Sequence, residues 1–444
     1  MQINLQEKEE LSESIKTEND NLTVKFHCEQ DQKVVFCHLP KINPQGTFII
    51  NGHEKVVVLQ SVRAPTIYHF ATEKQNAFYS EIIPFKGISI NLLDILKTFA
   101  VSPELLKQFF NPEDLNIEDY QAIKPLEIGE SLPQFLFTKK NSYFDIGKLG
   151  RRKFSQKIDI FQYLQDQTLV EDLRDENGKI ILKKNTILAG EKFQLLRQSF
   201  KNKKLAGFTV PHANHKLYVI KIQSPKNKKN FLSLIGMEEI PPEEKTFFDL
   251  ADLICAVSNH INLYHDLGKI EKEEEKDKLE NQIIRRVGDL VYNIFDNKLG
   301  SFLQDIDNKY LSNISQLKKA DLMKIPNLND FDNFIRHFFN TSALVQLQNQ
   351  NNPLARASYS RKLSVLGRGG FKSANTTLEA RNINPSYCGR YDLVETPEGQ
   401  RVGLVHNLTI DAEINDEGQV ETSYYLVKQG IITDKLVYLT SEEE

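Results

Sequence analysis

"GTFIINGHEKVVVLQSV", residues 46–62, is the stretch from which the fold is read. Two β-branched runs flank Asn51-Gly52, and both of these residues tolerate positive φ, so the segment predicts a tight antiparallel hairpin. Upstream, "LTVKFHC" (22–28) and "KVVFCHL" (33–39) have the same strand character and lead into a Pro-bounded turn at "PKINPQG" (40–46). This first region is therefore mostly β. Residues 1–20 are polar and Glu-rich and predict a frayed helix or tail.

Downstream the periodicity changes. "NLLDILKTFAVSPELLKQFF" (91–110) places apolar residues at helical spacing around Ser102-Pro103, a pair suited to cap a second helix. A mixed region to about residue 240 contains "ILKKNTILAG" (181–190) and the strand-like "KLYVIKI" (216–222). "EKTFFDLADLICAVSNHINLYHDL" (244–267) predicts a long amphipathic helix, and residues 271–311 a second helical block whose charged first third is a solvated face. Residues 321–354 read as helix, Pro break and helix, with Phe331, Phe334, Ile335, Phe338 and Phe339 as a core-facing stripe. After 361 the chain turns irregular and Gly/Pro-punctuated, then strand-rich. A β start, a helical insert and a return to β predict an α+β multidomain fold in which a mixed β domain is interrupted by an α/β domain and followed by an irregular β-rich one. The 444 residues are enough for two or three such domains, each with its own core.

Composition narrows the function. A formal charge of −4 gives no global basic footprint, so any contact with nucleic acid must be local. Basic clusters occur at "KLGRRK" (148–153), at "KNKK" (201–204 and 226–229) and at 361–372; the first three read as solvated surface. Cys28, Cys37, Cys255 and Cys388 are scattered without a C-x-x-C pair, which argues against a disulfide framework and fits a reducing cytoplasm. No stretch of about 18 apolar residues and no signal pattern is present, so no membrane is expected. Richness in Lys, Asn, Ile and Phe with no Trp reads as an AT-rich coding genome, bacterial or plastid.

Enzyme signatures are missing. There is no phosphate-binding G-x-x-x-x-G-K-[ST], no nucleophile elbow, no H-E-x-x-H and no D-x-D-x-D loop that could hold Mg²⁺. His212 and His215 form an H-x-x-H without a third ligand nearby. No catalytic residue is assigned, and no cofactor or metal is expected on this chain.

"NQNNPLARASYSRKLSVLGRGGF" (349–371) is the richest polar segment. With residues 340–348 before it and 389–404 after it, it offers Gln346, Gln348, Asn349, Asn351, Arg356, Arg361, Lys362, Arg368, Lys372, Arg390 and Arg401. Such groups hydrogen-bond phosphate and ribose, while Gly367, Gly369 and Gly370 let a backbone approach closely. A polar loop cluster with structural turns is an equal account from residue type alone.

"FFNTSALVQLQNQNNPLARASYSRKLSVLGRGG", followed by "EARNINPSYCGRYDLVETPEGQRVGLV", closely resembles the β subunit of bacterial multisubunit DNA-dependent RNA polymerase, where it forms the rifamycin-resistance region, the fork loop and the E-T-P-E-G segment. "GTFIINGHEKVVVLQSVRAP", "SYFDIGKLGRRKF" and "IRRVGDLVYNIF" are similar to earlier family segments in the same order. The likeness runs from about residue 22 to the end and is most specific past 340. It implies a protrusion at 1–85, an inserted lobe at 86–300, a return to the protrusion at 301–360 and a fork at 361–444. Lobe and protrusion would form one jaw of the DNA cleft, with the fork facing the RNA–DNA hybrid.

By the same resemblance Gln346, Lys362, Ser364, Glu398 and Arg401 line the path of the nascent transcript. Gly367, Arg368, Gly369, Gly370, Lys372, Arg381 and Arg390 belong to the fork loop and its surroundings. Lys55, Val57, Leu347, Asn349, Tyr359, Ser364 and Leu366 occupy rifamycin-pocket positions. The expected partners are the β-prime subunit, the α dimer, the remaining half of β, a sigma factor, template DNA and nascent RNA, in the cytoplasm at the nucleoid or in a plastid. Mg²⁺ is expected in the partner large subunit. The chain would then be part of a nucleotidyltransferase, not catalytic alone, and either a fragment or the product of a split gene; a non-catalytic remnant binding nucleic acid or a transcription factor is the alternative.

The departures are specific. Lys362 stands for the family's Arg, Tyr359 for His, Asn349 for Asp, Leu347 for Phe and Arg401 for Asn, and in "FKSANTTLE" (371–379) Ser373 and Asn375 lack the usual positive charge. Weak rifamycin binding is expected. The family's N-terminal stretch and everything past the fork are absent from the 444 residues, so an exposed sheet edge prone to aggregation is expected.

Overall fold

The computed structural model describes residues 3–6, 21–27, 33–72, 77–83, 90–92, 96, 103–110, 145–202, 204–209, 216–224, 227–237, 245–265, 267, 278–294, 328–371, 376 and 378–444. Helices and small separate sheets of two to four strands are mixed along the chain, an α+β fold. The chain packs as two compact units. One combines Met1–Arg63 with Lys276–Glu444; the other is Ala64–Glu275.

The first unit begins with β1 (Ile3–Gln6), β2 (Asn21–His27) and β3 (Lys33–Pro40), an antiparallel meander. Residues 3–6 thus form a strand, where a frayed helix or tail was expected. Pairing with β2, from Ile3 opposite Phe26 to Gln6 opposite Thr23, supplies what the local composition does not. β4 (Phe48–Ile50) and β5 (His53–Val57) form the predicted hairpin, Phe48 opposite Lys55 and Ile50 opposite His53. Asn51 (φ 51°) and Gly52 (φ 75°) both take left-handed backbone, which matches the right-handed twist of the two strands. β6 (Leu59–Arg63) follows directly.

The second unit opens with the antiparallel pair β7 (Thr66–Thr72) and β8 (Ala77–Ile83), with β9 (Ile90–Asn91) on the far edge of β8. α1 (Pro103–Phe109), α2 (Gly147–Lys157) and α3 (Phe161–Leu164) lead to β10 (Thr168–Leu169), the β11 (Leu173–Arg174) and β12 (Ile180–Leu182) ribbon, and α4 (Gly190–Lys201). β13 (Phe208–Thr209), β14 (Lys216–Ser224) and β15 (Asn227–Met237) complete a sheet centred on β14. α5 (Leu250–Tyr264) is buried from Ala251 to Leu263, where an amphipathic helix with a solvated face was expected; its polar residues Asp252, Ser258, Asn259, His260 and Asn262 are enclosed with the apolar ones. Its start is fixed by a reciprocal box in which the Asp252 N–H donates to Asp249 Oδ1 (3.0 Å) and the Asp249 N–H to Asp252 Oδ2 (2.9 Å).

Part of the "KLGRRK" cluster read as solvated surface is buried instead. Arg151 is fully enclosed and places both terminal nitrogens on Asp252 Oδ1 at 2.9 and 2.6 Å, and Lys153 is also buried. Lys245 Nζ lies 2.6 Å from Asp249 and 2.9 Å from Asp252, closing a buried set of two cations and two carboxylates. Burial raises Asp249. It also pushes on Asp252, but Lys245 and Arg151 outweigh it and hold that carboxyl below its usual range.

The chain returns to the first unit through β16 (Gln282–Arg285), where a helical block was expected; residues 287–294 are helical. β16 pairs along β6 from Gln282 opposite Arg63 to Arg285 opposite Gln60, and all four residues are buried. Ile283 and Ile284 favour that pleated, enclosed setting over a helix. α6 (Leu328–Thr341) buries Ile335 and Phe339, two members of the predicted stripe; the Phe331 side chain is outside the described set. β17 (Val345–Leu347), α7 (Pro353–Ser360), β18 (Lys362–Ser364), β19 (Val405–Asn407), β20 (Glu413–Ile414), β21 (Val420–Lys428) and β22 (Ile431–Thr440) follow. Two of the resulting sheets position the polar segment: β17–β5–β4, and β16–β6–β18–β19 with β18 parallel to β6.

Candidate nucleic-acid interface

The polar segment 345–371 is built onto the hairpin at its start and onto β6 at its end. β17 runs antiparallel to β5, with Gln346 opposite Val56, Leu347 opposite Lys55 and Val345 opposite Val57. The structure thus brings Lys55, Val57, Gln346 and Leu347 together on one sheet. Lys55 Nζ donates to the Phe339 carbonyl at 3.0 Å and to Asn340 Oδ1 at 3.2 Å, a cation at the carbonyl end of α6. Phe339 in turn lies 5.0 Å from the Phe48 ring, so helix and hairpin share a core.

Glu54, one residue earlier on β5, gathers the loop beyond β17. Its Oε1 accepts from Thr47 Oγ1 (2.7 Å) and from an Arg356 terminal nitrogen (2.6 Å), its Oε2 from Gln350 Nε2 (2.8 Å), and its backbone carbonyl from the Gln348 N–H (3.0 Å). The Thr47 hydroxyl, then the Arg356 charge and the Gln350 amide, hold the carboxyl below its usual range against the opposing effect of partial burial. α7 begins with a cap that the sequence contains openly. Asn352 Oδ1 accepts the Ala355 N–H at 2.7 Å and Pro353 fills the first turn, where a missing N–H costs nothing.

Along α7 and β18 the side chains divide into exposed and committed ones. Leu347 is 62% exposed, and Asn351 and Arg356 are also exposed. Asn349 Oδ1 accepts the Asn351 N–H at 3.0 Å, so that side chain shapes its own turn. Lys362 Nζ sits 4.6 Å from the Tyr359 ring centroid, a cation over an aromatic face. Ser364 is buried, its hydroxyl accepting the Leu366 N–H at 3.1 Å. Arg361 donates to the carbonyls of Leu408, Thr409 and Ala412 and so ties α7 to the loop after β19.

The Gly-rich loop 365–371 is held by a residue the sequence analysis missed. Gln60 on β6 is fully buried, and its Nε2 donates to the carbonyls of Leu366 (3.0 Å) and Arg368 (3.2 Å). Gly367 has φ +108°, and a Cβ on Gly370 would lie 2.3 Å from the Val365 carbonyl oxygen, so the loop needs glycine at both places. Gly369 also has positive φ, at 83°. Arg368 projects from the loop, exposed. Lys372, Ser373 and Asn375 lie outside the described residues.

The E-T-P-E-G segment closes the surface. Thr396 Oγ1 donates to the Val405 carbonyl (3.3 Å) and accepts the Gly403 N–H (3.2 Å), which turns Glu398 and Arg401 outward, both exposed. Arg381 donates to the carbonyls of Gln400 and Val402, both at 2.9 Å. Arg390 has no exposed surface; it donates to Glu444 Oε2 (2.8 Å) and to the Leu439 carbonyl (3.0 Å). Beneath lies a core of Leu363, Tyr387, Tyr391 and Leu408, with the His406 ring stacked on Tyr391 at 5.3 Å. Burial pushes the Tyr391 phenol up and the His406 imidazole down, so both stay neutral.

Thus Gln346, Lys55, Leu347 and Lys362 lie on or beside the joined sheets, Arg368 at the loop tip, and Glu398 and Arg401 on the E-T-P-E-G turn, while Ser364, Arg361 and Arg390 are engaged inside the fold. The signal that could have found Gln60 is its setting, a polar residue directly after the apolar run Val56–Leu59, whereas Glu54, between His53 and Lys55, carries no such signal. Among the described residues no group of three or more His, Cys, Asp or Glu is placed to hold a metal ion, and no helix is long and apolar enough to cross a membrane. His212 and His215 lie outside the described residues.

Comparison with known proteins places the surface in a class. The family model for RNA polymerase Rpb2, domain 3, matches residues 346–414, the stretch from β17 to β20. Relatives named DNA-directed RNA polymerase subunit beta match nearly all of it. The protein from Leuconostoc mesenteroides is 30% identical over 94% of this chain and 39% of its own length, that from Mycoplasma capricolum 29% over 91% and 36%, and that from Enterococcus faecalis 28% over 94% and 39%. Over nearly all of its length the chain is similar to bacterial RNA polymerase β subunits, and it spans 36–39% of the length of these relatives.

Proposed function

We propose that this chain works as the protrusion, lobe and fork of a β subunit inside a multisubunit DNA-directed RNA polymerase, where it forms one side of the DNA cleft and lines the RNA–DNA hybrid. The observation that carries this is the coincidence of the family match at 346–414 with the polar segment that β17 sets on β5 and β18 sets on β6. We assign the protrusion to 1–85 and 301–360, the lobe to 86–300 and the fork to 361–444; a compact unit at Ala64–Glu275, which takes in β7 and β8 and leaves out β16, supports an insertion in the chain but with bounds nearer 64 and 275.

In this role Gln346, Lys362, Arg368, Glu398 and Arg401 position the hybrid through backbone contacts, which set register without reading sequence. Ser364 and Arg390 act from inside, by shaping the strand and the turn that carry the exposed groups. Nucleotidyl transfer requires divalent metal, and we place Mg²⁺ in a partner large subunit. The other partners are an α dimer and a sigma factor. We further propose that rifamycins bind this polymerase poorly, because Tyr359 carries Lys362 over its ring, Asn349 is engaged in its own turn and Leu347 lacks the family's aromatic ring.

Photocrosslinking tests the assignment. In an elongation complex purified with this chain, RNA carrying 4-thiouridine near its 3′ end should crosslink within 346–368 and 398–401. Crosslinks confined to other chains would refute it.

A further inference from the structure

Inside the Ala64–Glu275 unit, away from the polar surface, five buried side chains from four elements form one continuous hydrogen-bonded chain. Tyr163 on α3 donates to Asn259 Oδ1 on α5, and Asn259 Nδ2 lies 2.8 Å from His69 Nε2 on β7. His69 Nδ1 is 2.7 Å from Ser80 Oγ on β8, and Ser80 Oγ is 2.6 Å from His260 Nδ1, back on α5. All five are at most 5% exposed.

Donor and acceptor capacities give the chain a direction. The Asn259 amide N–H requires His69 Nε2 to accept, so the proton of neutral His69 is on Nδ1 and points at Ser80. Ser80 accepts it and donates its own proton to His260 Nδ1, so the proton of neutral His260 is on Nε2. A proton added to His69 Nε2 faces an amide N–H; one added to His260 Nδ1 faces the Ser80 hydroxyl proton. Either way a buried donor loses its acceptor while a charge appears in a site closed to water.

We propose that the Tyr163–Asn259–His69–Ser80–His260 chain is a pH-sensitive lock, which ties α3 and α5 to the β7–β8 pair while both imidazoles are neutral and releases them when either is protonated.

The surroundings reinforce the neutral state. Burial holds His69 well below the ordinary 6.5, with the Lys157 charge and His260 acting in the same direction, and burial brings His260 to about 4. Lys157 reaches this side from α2, donating to the Ile67 carbonyl at 2.8 Å and lying 4.4 Å from the Tyr68 ring centroid. The charged groups at the start of α5 are Asp249 and Asp252, about two to three helical turns from His260, held by Lys245 just before the helix and by Arg151 on α2. For His260 the unfolded state binds the extra proton between 6.5 and about 4, so stability is complete above this range and falls as pH drops through it. Each imidazole then lowers the folding equilibrium constant about tenfold per pH unit.

Hydrogen exchange of the full chain, read by mass spectrometry, tests the lock together with ¹⁵N-histidine NMR. Between pH 6.5 and 4.5, peptides covering 66–72, 77–83 and 250–264 should lose protection by at least about tenfold per pH unit. His260→Gln should make that slope about tenfold per unit shallower, and at pH 7 the NMR should show His69 protonated at Nδ1 and His260 at Nε2. Protection independent of pH, an unchanged slope in the variant, or the reverse tautomers would overturn the proposal. If His260→Gln does not fold, the wild-type tautomers and slope decide it.

Discussion

Glu54 and Arg356 stand 302 residues apart in the sequence and meet at 2.6 Å, so the β4–β5 hairpin fixes the helix at the centre of the candidate interface. Thr47 and Gln350 share the same carboxylate, and a single side chain thereby sets where α7 begins relative to β17.

Glu54→Ala should remove three side-chain partners at once. The Arg356 pair is partly exposed and contributes little by itself, but with the Thr47 and Gln350 bonds the loss should be about 1–3 kcal/mol. The urea midpoint should fall and amide exchange across 348–356 should quicken. The carboxyl is depressed from the ordinary 4.5, so its contribution is present above that pH and should disappear as pH falls through the lower folded value, leaving wild type and variant alike in strong acid.

Gln60→Leu should leave the carbonyls of Leu366 and Arg368 without their donor and cost about 1–3 kcal/mol. Gly370→Ala should disturb the same loop by another route, since its Cβ cannot occupy the space next to the Val365 carbonyl. Faster exchange confined to 365–371 in both variants checks this, and unaltered exchange there would show that the loop is held by something else.

Asp252→Asn should be the most damaging change in the Ala64–Glu275 unit. It keeps the shape but leaves Arg151 and Lys245 sharing the single carboxylate of Asp249, and removal of one partner from a buried ionic set costs about 3–5 kcal/mol. Denaturant unfolding should show the loss, while Lys148→Ala in the same basic run should stay within about 0.5 kcal/mol of wild type.

The rifamycin proposal predicts resistance in the assembled polymerase. Tyr359→His combined with Lys362→Arg should lower the inhibitory concentration by roughly tenfold, equivalent to about 1.4 kcal/mol of binding. Full sensitivity of the unaltered assembly would contradict it.

What could be read in the sequence was what local chemistry decides. Asn51-Gly52 announces its hairpin because few other pairs take left-handed backbone twice in succession, and the apolar spacing of α5 announces a helix, though not that its polar residues are buried as well. β1 and β16 were missed because their partners, β2 and β6, supply the structure: "INLQ" alternates for only four residues before a Glu-rich run, and "QIIR" leads straight into a helical run. Residue type named the polar set at 346–401, but not which members are engaged by carbonyls. Arg361 and Arg390 look like phosphate ligands in a sequence, and only the positions of Thr409, Ala412 and Leu439 show where their guanidinium groups point. The Glu54–Arg356 contact depends on chain closure over most of the protein, which no window of sequence contains.

The central claim is that this chain acts within a polymerase. Affinity purification from its native source, with intact-complex mass measurement and an assay for templated RNA synthesis on the same material, tests it most directly. Recovery with a second large subunit and an α dimer, in a complex that synthesises RNA from a DNA template, is the expected result. Recovery of the chain alone, or with a single regulatory protein and no synthesis, would contradict it.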